Sequence, residues 1–189
     1  KIIIILGTGN PIDPHIRTSA HPRIFLIGMM GSGKSYWCKK LAKKIKSGAY
    51  DLDYLVEIME EQTIAEIFAE HSEEYFRKAE AKMLRWFAEK KSFVLATGGG
   101  TPCFHENMQW MNQHGVTIWI DEPIDVLAER LLKEKDHRPL IKSLTDDELH
   151  NFLSKKLEER TPYYSQATYH LQGNKISDRS FAEILKQHE

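Results

Sequence analysis

The residues most able to do chemistry in this chain are a lysine and a serine placed after spaced glycines. Gly28-Met29-Met30-Gly31-Ser32-Gly33-Lys34-Ser35 fits G-x-x-x-x-G-K-[ST], a phosphate-binding pattern. Its glycines let the backbone curl and turn successive N–H groups inward, forming a concave nest for phosphate oxygens. Lys34 brings a point charge to the outer phosphates, and the Ser35 hydroxyl is placed to ligate Mg²⁺. The pattern carries weight only between a strand and a helix. Ile24-Phe25-Leu26-Ile27 reads as a buried strand, and Trp37, Leu41 and Ile45 recur on one helical face. The chain is therefore expected to bind a nucleoside triphosphate.

Other candidates are acidic, glycine-rich or basic. Ala49 to Asp53 reads as a short strand ending in two carboxylates, Asp51 and Asp53. Alternation along an extended strand sends both the same way, one for a phosphate-bound Mg²⁺ and one for an acceptor hydroxyl. Gly98-Gly99-Gly100 leaves the backbone bare, which suits either close ligand contact or a tight turn. Arg77 could pair with Glu80 three residues on. Arg138 lies in an aperiodic stretch that resembles a mobile lid. Arg160 is read as ending a helix before Pro162, where a cation suits the helix dipole. Each arginine has a structural explanation, yet three around an ATP site would fit an anionic acceptor and a phosphoryl group in transit.

Positioning these side chains requires a scaffold, and its elements alternate. After the first strand and helix, Thr63-x-x-Glu66 is a capping box opening a short helix. Phe76, Ala79, Met83 and Phe87 form the buried stripe of a helix over residues 73–90. A strand over 92–97 stops at the triple glycine, and a helix near 106–113 stops at Gly115, a C-cap by residue type. A strand over 116–120 leads through Pro123 into a helix reaching Lys135. Thr145-x-x-Glu148 caps a helix reaching Arg160, Tyr169 to Leu171 is a last strand, and a helix over 178–188 closes the chain. Alternating strands and helices predict an α/β fold with a parallel sheet covered on both faces, and ligands at the strands' carboxyl ends.

The bulk numbers fit one such domain. The chain has 189 residues, 41% hydrophobic and 28% charged, and a formal net charge of −1. That balance offers no general attraction for nucleic acid or an anionic membrane. Cys38 and Cys103 are far apart and form no C-x-x-C pair, which suits a reducing cytoplasm. Nine histidines show no ligand spacing, and no apolar run approaches the ~18 residues of a membrane span. Residues 1–22 are read as an N-terminal extension, upstream or vector-derived, containing a possible strand at Ile2–Leu6 and three prolines. No function is assigned to them.

From about Arg23 onward the sequence resembles shikimate kinases. The resemblance rests on GMMGSGKS, the DLD pair, FRKAE, the ATGGG turn, HRPLI and ERTPYY, in that order. It implies a three-layer α/β/α fold like the nucleoside monophosphate kinases, with a five-stranded parallel sheet, and a single kinase domain over 23–189 with a mobile lid near 136–146. It implies ATP-dependent phosphorylation of the 3-hydroxyl of shikimate, a step toward chorismate and aromatic amino acids, by a monomeric cytoplasmic enzyme using Mg²⁺. Gly31, Ser32, Gly33, Lys34, Ser35 and Tyr36 would bind ATP phosphates, with Arg130 against the adenine and Arg138 swinging in with the lid. Ser35 would ligate Mg²⁺, and Asp51 would support it through water. Asp53, Arg77, Gly99 and Arg160 would hold shikimate, the arginines at its carboxylate and Asp53 at its hydroxyls. Lys34, Asp53 and Arg138 would carry catalysis. Tyr36 stands where the family usually has threonine, and the adenine loop near Asn174 to Ser177 matches poorly. Two other readings share the phosphate apparatus: another small-molecule kinase of this fold, such as a gluconate kinase, or a non-catalytic nucleotide-binding paralogue.

Overall fold

Strands buried on both faces read as continuous apolar runs, and three such runs form the middle of this chain's five-stranded sheet. The structure, a computed structural model, describes residues 22–133 and 141–188. The possible strand at Ile2–Leu6 and the lid arginine Arg138 lie outside the described residues. The strands are β1 (Arg23–Ile27), β2 (Ala49–Asp51), β3 (Phe93–Ala96), β4 (Val116–Asp121) and β5 (Tyr169–Gln172). All pair in parallel, in the order β2-β3-β1-β4-β5, with Leu26 opposite Ala96 on one side and Ile118 on the other. The carboxyl ends of all five strands therefore meet along one edge.

Eight α-helices flank the sheet among the described residues, besides three short 3-10 turns: α1 (Lys34–Lys44), α2 (Leu52–Glu60), α3 (Ile64–Glu70), α4 (Glu73–Trp86), α5 (Asn107–His114), α6 (Ile124–Lys133), α7 (Asp146–Tyr164) and α8 (Asp178–Lys186). Side chains of successive strand residues divide between two cores. Ile24, Leu26, Val94, Ala96, Ile118 and Ile120 face Leu41 of α1 and Phe181 and Ile184 of α8. Phe25, Ile27, Phe93, Leu95 and Trp119 face Leu84, Met111, Leu127, Leu131, Leu149 and Leu153 of α4 to α7. Each Val, Leu, Ile, Phe or Met side chain among them contributes roughly 1.5–3 kcal/mol on burial. A third, smaller cluster of Val56, Ile67, Phe76 and Ala79 joins α2, α3 and α4. The expected three-layer α/β/α fold with a five-stranded parallel sheet is what the chain adopts.

Both capping boxes form, at Thr63–Glu66 and Thr145–Glu148. Two local readings need correction. The second strand ends at Asp51, and Asp53 lies in the first turn of α2, so strand alternation does not orient it. Helix α7 does not end at Arg160 but runs through Pro162 to Tyr164, which removes the helix-end explanation for that arginine. Gly115 does cap α5, but in extended backbone (φ 176°). The glycine is demanded there by space, since a Cβ would sit 2.5 Å from the Arg23 carbonyl oxygen.

Candidate active site

The loop from β1 into α1 has the geometry of an anion nest. Gly28, Gly31 and Gly33 all have positive φ (144°, 78° and 87°), and a Cβ at Gly28 would strike the Ile120 carbonyl oxygen. Gly33 occupies the N-cap of α1, and the first helical bond runs from Trp37 N–H to its carbonyl, at 3.0 Å. By helix geometry, the N–H groups of Gly33, Lys34, Ser35 and Tyr36 then have no intrahelical acceptor. No side chain caps this end and no acidic residue occupies its first turn, leaving the positive end of the dipole for an anion. Ser32 is buried in the loop, its hydroxyl without a hydrogen-bond partner among the described residues. Lys34 reaches over the same loop, donating to the carbonyls of Gly28 (3.0 Å) and Met29 (2.8 Å).

Two neighbours extend this nest. The Ser35 hydroxyl donates to Asp51 Oδ2 at 2.8 Å. Asp51 stands at the N-cap of α2, yet its side chain does not cap that helix; its carboxylate serves Ser35 instead. On the other side, Arg130 donates to the Gly31 carbonyl (3.0 Å) and to Glu122 Oε1 (2.8 Å). A cleft of about 930 Å³ opens here, lined by the loop, Tyr36, Trp37, Asp51, Asp53, Gly99 and Arg130.

The triple glycine adjoins this cleft and receives three side chains. A Cβ at Gly98 would lie 2.6 Å from Asp53 Oδ1 and 2.9 Å from Glu80 Oε1. At Gly99 it would lie 2.8 Å from Arg160 Nη1, and at Gly100 2.6 Å from Arg77 Nη2. None of the three needs positive φ, so the requirement is space. Arg77 is gripped by Glu80 (3.0 Å) and by Glu73 through Nε and Nη2 (3.3 and 3.2 Å). Glu80 has no exposed surface and also accepts from the Thr101 hydroxyl. Arg160 donates to Met29 Sδ at 3.5 Å, while buried Tyr164, one turn further on, donates to the Gly99 carbonyl. Burial pushes the Tyr164 phenol well up, keeping it a neutral donor. Burial, reinforced by the Glu80 and Asp51 carboxylates, raises Asp53 from 3.8 to about 6, against the pull of Lys34 and Arg77.

A phosphate nest, a buried carboxylate and two arginines around bare backbone describe a kinase for a small anionic acceptor, and comparison agrees. A family model described as shikimate kinase matches residues 30–189. The chain belongs to the shikimate kinase family. Among relatives, the shikimate kinase of Bacteroides fragilis is 42% identical over 165 residues, covering 87% of this chain and 92% of that protein. That of Bacteroides thetaiotaomicron is 41% identical over 157 residues, covering 83% and 90%. The crystal structure of a Bacteroides thetaiotaomicron shikimate kinase superposes with a TM-score of 0.80 at 38% identity, covering 88% of this chain and 97% of its own. An Acinetobacter baumannii shikimate kinase in complex with shikimate gives 0.78 at 29% identity, covering 89% and 93%. A Sinorhizobium meliloti gluconokinase, at 0.55 and 15% identity, shares only the fold. The chain is thus an ATP-dependent kinase by family. No helix among the described residues is long and apolar enough to cross a membrane.

Of the residues that the shikimate kinase resemblance singled out, the structure gathers Gly31 to Tyr36, Asp51, Asp53, Arg77, Gly99, Arg130 and Arg160 along one sheet edge. Arg138 is outside the described residues. Tyr36 is 60% exposed, its ring edge-on to Trp37. Sequence reasoning missed Tyr164, Thr101 and Glu122, and took Glu80 only as a partner of Arg77. The four-residue spacing of Arg160 and Tyr164 was the available signal, hidden by the expectation that the helix stopped between them.

Proposed function

We propose that this chain transfers the γ-phosphoryl group of ATP to the 3-hydroxyl of shikimate. The observation that carries the reading is the convergence of Asp53, Arg77 and Arg160, from three separate helices, on the Gly98–Gly100 turn beside the phosphate nest. The nest and Lys34 would take the phosphates, with Arg130 beside the nucleoside and Arg138 as the lid's charge. Arg77 makes three of its five possible donations internally, one from each nitrogen. Among the described residues one N–H on each terminal nitrogen is left, which is what a bidentate hold on the acceptor's carboxylate uses. Arg160 at Gly99 supplies the second cation, fixing which face of the ring meets the γ-phosphate.

Asp53 would accept the proton, or at least the hydrogen bond, of the acceptor hydroxyl. With a pKa near 6 it is mostly ionised at neutral pH yet more basic than an ordinary aspartate. Its role is chiefly orientation, because the transferred group passes through a loose transition state. Ser35 and Asp51 present one hydroxyl and one carboxylate, hard oxygens that suit Mg²⁺ when phosphates and water supply the remaining ligands. When bound, the ion would neutralise charge on the phosphate oxygens. Residues 23–189 would form the kinase domain with a lid near 136–146, acting as a cytoplasmic monomer. The test is ADP release with Mg²⁺ and ATP against shikimate, gluconate and nucleoside monophosphates. Turnover with shikimate alone is expected; turnover with gluconate and none with shikimate would overturn the reading.

A further inference from the structure

The loop after the triple glycine is strained in a way the reaction does not explain. His105 and Glu106 are consecutive non-glycine residues in left-handed backbone, with φ of 47° and 56°. Side chains make this conformation costly, and two in a row persist only where surroundings impose them. The bend is closed by the Asn107 N–H, which donates to the Phe104 carbonyl at 2.9 Å, and it is braced from outside by Arg85. Its Nη2 donates to the His105 carbonyl at 2.8 Å and its Nη1 to Asn107 Oδ1 at 2.7 Å. Asn107 is fully buried and itself tied to the Thr101 carbonyl, so the bend is fixed at both ends.

What the bend presents is Phe104, a large apolar side chain left 37% exposed. Its ring centroid lies 4.5 Å from the guanidinium carbon of Arg77, whose other aromatic neighbour, Phe76, is at 5.0 Å. Arg77 and Arg85 are two turns apart on α4, so one helix both carries the acceptor-gripping arginine and clamps the loop whose ring touches it. An aromatic face attracts a guanidinium and excludes water from it, narrowing the planes the fork can occupy. We infer that Phe104 is a positioning residue for Arg77, and that the His105–Glu106 bend held by Arg85 aims its ring. The inference rests on the reading that Arg77 grips the acceptor's carboxylate.

The test uses the full chain and steady-state kinetics with each substrate varied. Phe104→Leu keeps an apolar side chain without the π face, and Phe104→Tyr keeps the face. The leucine variant should raise KM for shikimate about five- to tenfold, with kcat and KM for ATP within about twofold of the parent; the tyrosine variant should match the parent. Arg85→Met should raise KM for shikimate similarly, and the Phe104→Leu/Arg85→Met pair should be no worse than the leucine variant alone. An active parent matched by Phe104→Leu would overturn the inference alone, as would equal rises in KM for ATP and shikimate. Unchanged shikimate KM in Arg85→Met would overturn the clamp. A parent that does not turn over shikimate would overturn the functional reading, and this inference with it.

Discussion

Asp53, proposed as the carboxylate that meets the acceptor hydroxyl, weakens the fold that holds it. In the folded chain it keeps its proton up to about pH 6, against about 3.9 in the unfolded chain. Between those values the folded state binds more protons, so Asp53's contribution to stability falls as pH rises from about 4 through 6. Above 6 the whole cost is present. Two pH units correspond to roughly 3 kcal/mol. Asp53→Asn should therefore cut kcat by about 10²-fold or more, yet stabilise the protein at pH 8 by up to about 3 kcal/mol, with a smaller gain at pH 5. Urea unfolding at the two pH values measures this, and an asparagine variant less stable than the parent at pH 8 would contradict it. For the parent, kcat/KM for shikimate should fall below an acid limb near pH 6, not near 4. The residue was legible as a candidate from its DLD pair, but its environment was not. Glu80 and Gly98, which lie beside it, come far along the chain, and no local pattern announces that they meet.

At the scale of elements, the glycine turn is the point where spacing and chemistry coincide. Gly100→Ala would push the Arg77 guanidinium from where it lies, and Gly99→Ala would displace Arg160 Nη1. Each alanine variant should raise KM for shikimate at least about tenfold, consistent with loss of one charge-assisted pair, while ATP binding measured by titration stays close to that of the parent. Equal damage to both substrates would mean that the turn acts on the nest instead. The strands around it were readable because burial on both faces demands continuous apolar runs. Helix α2 was not read, although Leu52, Leu55, Val56 and Met59 repeat with helical spacing. Its start coincides with a strand's end, and Asp51 gives its carboxylate to Ser35 where a capping aspartate would have marked the helix. The triple glycine left contact and turn equally open in the sequence; only the positions of Arg77, Arg160 and Asp53 decide for close approach.

Across the whole molecule, the described fold begins where its first tertiary bonds do. The Ser92 hydroxyl donates to the Pro22 carbonyl, and Arg23 donates to the Ala88 carbonyl. A chain starting at Pro22 should keep its Tm within about 2 °C of the parent, less than the shift expected from losing 1 kcal/mol, and should keep its kcat. A marked loss of either would show that residues before Pro22 belong to the working unit. The parallel sheet with helices on both faces follows from the alternation of strands and helices that the sequence displays, whereas the strand order and the pairing of distant helices around one turn do not. That pairing bears on redesign. The proposed acceptor contacts arrive from α2, α4 and α7, but all three side chains lie against consecutive glycines, so a change in that backbone would shift them together. A neutral or bulkier acceptor would therefore be easier to accommodate by exchanging side chains on the three helices, one grip at a time, with the glycine platform left untouched.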